Sequence, residues 1–192
     1  ERVYHGLFGT NGVGGPAITP DCIYRAASLT KLFTPAAVMQ CVEKGLIDLY
    51  APLSDYLPEF SHMNVGHVEV RDGKRIAATD RPARTPIIFF ELLSHSSGVG
   101  CGEMGQVLDK SYGSPEKTTA YYATQPLSFD PYSAQAYSGS ASFVVASRVL
   151  EIVTGESFGP YVAEHICKPL GLVDTTFEPT EEQFGRLVIL HN

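Results

Sequence analysis

The pattern of apolar positions changes period at Ser28. Residues 1–9 (Glu1 to Gly9) mix apolar and polar positions as a strand does, and residues 10–21 are rich in Gly and Pro and read as a loop. Cys22 to Ala26 is a short run that suits a second strand. From Leu29, the apolar residues Leu32, Phe33, Ala36, Ala37, Met39 and Val42 fall close to helical spacing, and Gly45 is a good stop with Lys44 in the last turn. Pro35 lies inside this helix and frees the carbonyl of Lys31, so a kink or a short first turn is expected.

Residues 46–66 are irregular, broken by Pro52 and Pro58. His67 to Ala78 alternates around Arg71-Asp72-Gly73-Lys74, and Asp-Gly between alternating segments predicts a hairpin. Thr85-Pro86 opens a helix to Leu93 with Thr85 as its cap, and Ser114-Pro115 opens another to Gln125. Phe143, Val144, Ser147, Leu150 and Val153 form one face of a helix that ends at Gly155. Ser157 caps a further helix that stops before Pro169, and Arg186 to Leu190 reads as a last strand. Strands at both ends around a helical middle predict an α/β fold of the α+β type. The expected organisation is one domain over 1–192, with 1–45 and 140–192 as its sheet-and-helix part and 46–139 as a mostly helical insertion.

Composition narrows the class. Apolar residues make up 44 % of 192, enough for a core without staples and too many for disorder. No apolar run reaches the roughly 20 residues of a membrane span. Lysine and arginine number 14 against 21 acids, a net charge of −7 that argues against a nucleic-acid surface. The four cysteines, Cys22, Cys41, Cys101 and Cys167, match no metal or disulfide spacing and read as buried free thiols. Free thiols fit a reducing compartment such as the cytoplasm. The chain opens on Glu1 with no visible signal peptide, so its location cannot be read from its start.

Ser28-Leu29-Thr30-Lys31 carries the sharpest chemistry. At a spacing of three, Ser28 and Lys31 share a helix face. A serine hydroxyl is a poor nucleophile until a base takes its proton. A lysine can be that base when burial or positive neighbours lower its pKa. The helix N-terminus would stabilise an oxyanion beside Ser28. The same quartet also suits a capping serine followed by a surface lysine. Tyr137-Ser138-Gly139, just before the helix at 140–154, offers a phenol that could pass protons, or a core tyrosine with a satisfied hydroxyl. Leu92 to Gly98 places His95 among serines. No Gly-x-Ser-x-Gly elbow accompanies it, and a helix end with His95 and the serines bonded to turn backbone is the favoured reading. His5, His62, His67, His165 and His191 are scattered, so neither a metal nor another cofactor is expected.

In chain order these segments resemble the serine β-lactamase-like superfamily: class C β-lactamases, D-alanyl-D-alanine carboxypeptidases and their esterase and transesterase relatives. The likeness rests on Ile23 to Lys31, Val38 to Leu49, Glu91 to Gly98, Tyr137-Ser138, Leu150 to Gly155 and Lys168 to Leu172. It implies that Ser28 is the acylated nucleophile, Lys31 the base, Tyr137 the proton shuttle and the Ser28 backbone N–H half of an oxyanion hole. It gives His95 a mainly structural place. An Asn usual after the tyrosine in β-lactamases is Gly139 here, and Ala83 to Pro86 and the hairpin look more like the esterase branch.

The family's Lys-Thr-Gly or His-x-Gly motif is not found in this sequence, which makes the expected sheet incomplete. The first expectation is therefore a serine hydrolase or acyltransferase acting on small-molecule esters. A β-lactamase or D-Ala peptidase acting on amides and a non-catalytic truncated relative are the alternatives. The expected partners are that small-molecule substrate and either the remainder of the chain's own domain or another copy. Val65 to Arg84 and the loop from Cys101 to Ser114 are expected to border the pocket.

Overall fold

The computed structural model describes residues 3–109 and 113–189. Helix formation after Ala26 comes in two steps: a 3-10 turn over Ala27–Leu32 runs into α1, Phe33–Glu43. Pro35 explains the step. It has no N–H for the Lys31 carbonyl, and as the third residue of α1 it stands where an N–H has no intrahelical partner anyway. The short first turn expected from Pro35 is thus present.

The hairpin forms as β1 (Asn64–Arg71) against β2 (Lys74–Pro82), antiparallel, and it is longer at its base than the alternation suggested. Asp72 and Gly73 both take positive φ, +52° and +72°, which is the twist-matched turn that Asp-Gly favours. A bulge between Val65 and Gly66 turns the strand where its base meets Leu127: Gly66 N–H donates to the Leu127 carbonyl at 2.9 Å, and Leu127 N–H to that of Asn64 at 2.7 Å.

Four helices follow in order: α2 (Phe90–Leu93), α3 (Gly102–Leu108), α4 (Pro115–Ala123) and α5 (Ala141–Thr154). Ser114 caps α4 by accepting from Lys117 N–H at 3.2 Å. Gly155 closes α5 at φ +74°, its N–H on the Glu151 carbonyl at 2.9 Å. Then come α6 (Phe158–Val162), a π turn (Ala163–Cys167) and α7 (Glu181–Gly185). One apolar core joins these elements apart from α7, which buries none of its residues. Ala37, Val38 and Cys41 of α1 pack with Val145, Val149 and Leu150 of α5 and with Tyr161 and Val162 of α6. Each fully buried Val or Leu there contributes about 1.5–3 kcal/mol.

Several expected elements differ. Residues 3–8 form no strand, and Val3, Tyr4 and Phe8 are almost wholly exposed; Glu1 and Arg2 lie outside the described residues. An alternating segment needs a partner ladder, and among the described residues the nearest pairing is a single bridge, Thr10 with Ala17. The runs at Cys22–Ala26 and Arg186–Leu190 meet at one parallel bridge only, Ile23 with Leu187, and Leu190 lies outside the described residues.

The helix expected from Thr85 shrinks to the four residues of α2. Residues before it are held extended, because Leu53 N–H donates to the Ile87 carbonyl at 2.8 Å. The Thr85 hydroxyl donates to Pro131 O, and the buried Glu91 carboxylate accepts Ile88 N–H at 2.9 Å. Burial, opposed by that hydrogen bond, holds the Glu91 pKa above its usual value.

Ser157 precedes α6 but makes no side-chain cap; Glu151 Oε1 accepts the Phe158 N–H instead, at 3.1 Å. α3 falls in a stretch read as loop. Gly105 hid it by its low helix propensity, and that glycine is required because a Cβ would collide with the Gly100 carbonyl. The four cysteines are free; Cys41, Cys101 and Cys167 are buried, while Cys22 is half-buried with Thr19 N–H on its Sγ at 3.4 Å.

Candidate active site

Ala27 takes φ +46°, a left-handed conformation that costs a residue with a Cβ about 1–2 kcal/mol. It is the first residue of the 3-10 turn and is followed by the exposed Ser28. Lys31 follows one turn on, half-buried, with Nζ 3.5 Å from Ser28 Oγ.

Tyr137 arrives from the segment just before α5. Its Oη is 2.7 Å from Ser28 Oγ, and Lys31 Nζ stands 4.9 Å from the centre of its ring. A hydrogen bond from Lys31, then the one from Ser28, hold the Tyr137 phenol below its ordinary pKa. Ser28, Lys31 and Tyr137, separated by up to 109 positions, therefore share one hydrogen-bonded cluster.

Two devices fix the Tyr137 segment. The first is a short antiparallel pairing: Cys101 bridges Ser138, and Gly102 N–H donates to the Tyr137 carbonyl at 3.0 Å. The second is His95. Its Nδ1 accepts Ser138 N–H at 3.1 Å, its carbonyl accepts Ala136 N–H at 3.1 Å, and its ring packs on Tyr137 and Phe143. Burial, then the charge of Lys31, lower the His95 pKa, which keeps Nδ1 free to accept.

Below it the buried hydroxyls of Ser138 and Ser142 both donate to the Val99 carbonyl at 3.1 Å, joining the 95–101 stretch to the start of α5. Of the groups read as bonding turn backbone, Ser97 does so by accepting Val99 N–H at 3.2 Å, whereas the Ser94 and Ser96 hydroxyls bond each other at 2.7 Å and His95 reaches Ser138. The bond to Ser138 across 43 positions carries no local sequence signal.

Ser28 and Lys31 open into a cavity of about 470 Å³, whose apolar walls include Phe143, Val144, Phe158 and Phe177, with Gly139 at its edge. Phe143, Val144 and Ser147 thus line this space, while Leu150 of the same helix is in the core. The expected borders are corrected here: among the described residues, none from Val65 to Arg84 or from Cys101 to Ser114 lines the cavity. The hairpin is tied down away from it, by Arg81 to the Asp130 carboxylate (2.9 and 2.6 Å) and by Arg75 to Glu103 (3.3 Å). Among the described residues no cluster of side chains suits a metal ion, and no helix is long and apolar enough to cross a membrane.

The chain as a whole is similar to known proteins. The family description Beta-lactamase matches residues 1–192. The chain is 35 % identical over 190 residues to the lovastatin esterase of Penicillium rubens, covering 94 % of this chain and 46 % of the relative. It is 31 % identical over 183 residues to the acyltransferase calJ of Penicillium decumbens, covering 90 % and 42 %. Among solved structures, a mutant of simvastatin synthase (LovD) from Aspergillus terreus superposes with a TM-score of 0.69 at 30 % identity, over 90 % of this chain and 42 % of that one. The chain spans less than half the length of these relatives. With its β-lactamase/transpeptidase-like α/β fold, it belongs to the Beta-lactamase family, on the side of the esterases and transesterases.

Proposed function

We propose that this protein is a serine ester hydrolase or acyltransferase that works through an acyl-enzyme on Ser28. The observation that carries the reading is the contact of Ser28 Oγ with Tyr137 Oη at 2.7 Å and with Lys31 Nζ at 3.5 Å, at an apolar cavity of about 470 Å³. The shorter distance favours Tyr137 as the first proton acceptor, with Lys31 holding the phenolate and sharing the proton.

Ser28 Oγ attacks the ester carbonyl as its proton passes to Tyr137. The oxyanion forms beside the Ser28 backbone N–H. The C–O bond to the alcohol then breaks, and the departing oxygen takes the proton back from Tyr137. Water or a second alcohol repeats the sequence in reverse: it gives its proton to Tyr137 and attacks the acyl carbon, the bond to Ser28 Oγ breaks, and Oγ takes the proton back from Tyr137. The apolar walls suit an apolar acyl group.

The test is covalent. A fluorophosphonate should label Ser28 in the gene product that carries these residues, and a p-nitrophenyl ester should give a burst of one acyl group per chain. Labelling that survives Ser28→Ala would overturn the assignment.

A further inference from the structure

Two cavities border the nucleophile turn. The second, about 540 Å³, lies beyond Thr30, between Ile23–Ala26, α6 and the loop 173–180. Thr30 and Phe177 line both cavities. Of the two, Phe177 has the side chain large enough to act as a partition. Its ring packs edge-on against Phe158, centroids 5.4 Å apart, and is 46 % exposed.

Polar anchors hold the loop on either side of Phe177, whose own contact is the Phe158 ring. Asp174 is held by Arg186 with 2.8 Å to Oδ2, and Thr180 closes the capping box of α7. Phe33, Val162, Phe184 and Leu187 give the second cavity a mainly apolar wall, interrupted by Arg25, Asp174, Thr176 and Glu178. Two of its charged wall residues already have partners: Asp174 pairs with Arg186, and Arg25 donates to the Val188 carbonyl at 3.1 Å.

We infer that the second cavity is a tail site for a long, unbranched apolar acyl chain, and that the Phe177 ring is the gate that sets the chain length admitted. The acyl carbonyl stands at Ser28, the proximal methylenes fill the first cavity, and the distal ones pass Phe177 when its ring turns aside. The placement of the carbonyl rests on the acyl-enzyme reading; the partition between the cavities does not.

The experiment is a binding series that needs no turnover. Straight-chain carboxylates from butyrate to dodecanoate are titrated onto the Ser28→Ala chain, with and without Phe177→Ala. Each methylene that gains an apolar environment is worth about fourfold in affinity. Dodecanoate should therefore bind Ser28→Ala/Phe177→Ala at least about tenfold tighter than Ser28→Ala, while butyrate changes by less than about twofold. Phe177→Leu, which keeps an apolar side chain against Phe158, should give a smaller gain of the same sign. Adding Leu187→Trp, which narrows the second cavity, should reduce the gain.

Equal gains for butyrate and dodecanoate, or a dodecanoate gain indifferent to Leu187→Trp, would overturn the gate. Fluorophosphonate labelling of the unmutated chain is run beside it. Failure to label at Ser28 overturns the acyl-enzyme reading alone, and a flat chain-length series overturns the gate alone.

Discussion

The imidazole of His95 lies against the ring of Tyr137, centroids 4.9 Å apart at 41°. The same imidazole accepts the N–H of Ser138, the next residue in the chain. One side chain therefore fixes both the ring plane and the backbone of the phenol that meets Ser28. His95 does this at φ +60°, a conformation that residues with a Cβ rarely adopt.

His95→Ala should keep the fold and misplace Tyr137. A displacement of about 1 Å at a reacting group costs on the order of 100-fold in rate. His95→Asn should recover part of that loss, because Asn tolerates positive φ and its Oδ1 can accept Ser138 N–H. Steady-state kinetics of the two variants decide the matter; equal losses in both would show that the Ser138 bond is not what positions Tyr137.

The His95 pKa is depressed, so the unfolded chain takes up its proton first as the pH drops. Its contribution to stability is complete above about pH 6.5 and is lost as pH falls through the folded-state value. Urea midpoints of the unmutated chain should fall across that interval more steeply than those of His95→Asn. Parallel curves would show that His95 does not carry the acid limb.

The helices that pack were legible, and the sheet was not. α4 and α5 could be read from a cap, a closing glycine and apolar spacing, all of which are local physics. The hairpin was legible because Asp72-Gly73 dictates its turn. Among the described residues, the runs read as strands at 3–9, 22–26 and 186–189 form no ladder, because pairing is decided by what lies alongside, and alternation alone cannot supply it. Ser28 and Lys31 stand three apart and show a motif; Tyr137 joined them only through the family resemblance. Phe177 had no signal at all, since a cavity wall is made by chain segments that sequence spacing does not connect.

Lys31 and Tyr137 should behave as one unit with Ser28. Lys31→Ala removes the largest cause of the lowered Tyr137 pKa. The phenolate then forms at higher pH, so the rising limb of kcat/KM against pH should move to alkaline values, with a loss of at least about 100-fold near neutrality. The double variant Ser28→Ala/Lys31→Ala should be little worse than Ser28→Ala. An unmoved pH profile in Lys31→Ala would remove Lys31 from the proton pathway.

Asp130 holds Arg81 through two bonds and accepts Arg84 N–H at 2.9 Å, and these contacts bring its pKa down to about 2. A depressed carboxyl stabilises the fold above its unfolded value, near pH 4, and this is lost as pH falls through about 2. Asp130→Asn should lower the urea midpoint at neutral pH and match the unmutated chain in strong acid. A difference that persisted unchanged to pH 2 would place the effect outside this ion pair.

Gly139 lies at the edge of the Ser28 cavity, and a Cβ added there meets no atom within 4 Å. Its φ is not positive, so the backbone tolerates a side chain. Gly139→Asn should therefore fold normally and place an amide at the edge of the cavity. Two consequences follow from the space and the chemistry it gains. A bulky acyl group loses room, and a loss of that size costs about tenfold or more in kcat/KM. An amide-bearing substrate gains a hydrogen-bonding partner. Turnover of a branched p-nitrophenyl ester should drop, that of the acetyl ester should hardly change, and acylation by nitrocefin should rise. The unmutated protein should cleave the short ester faster than nitrocefin. A Gly139→Asn protein that slowed acetyl and branched esters equally would show that position 139 does not shape the acyl site, and the preference for esters would then have to come from elsewhere in the cavity.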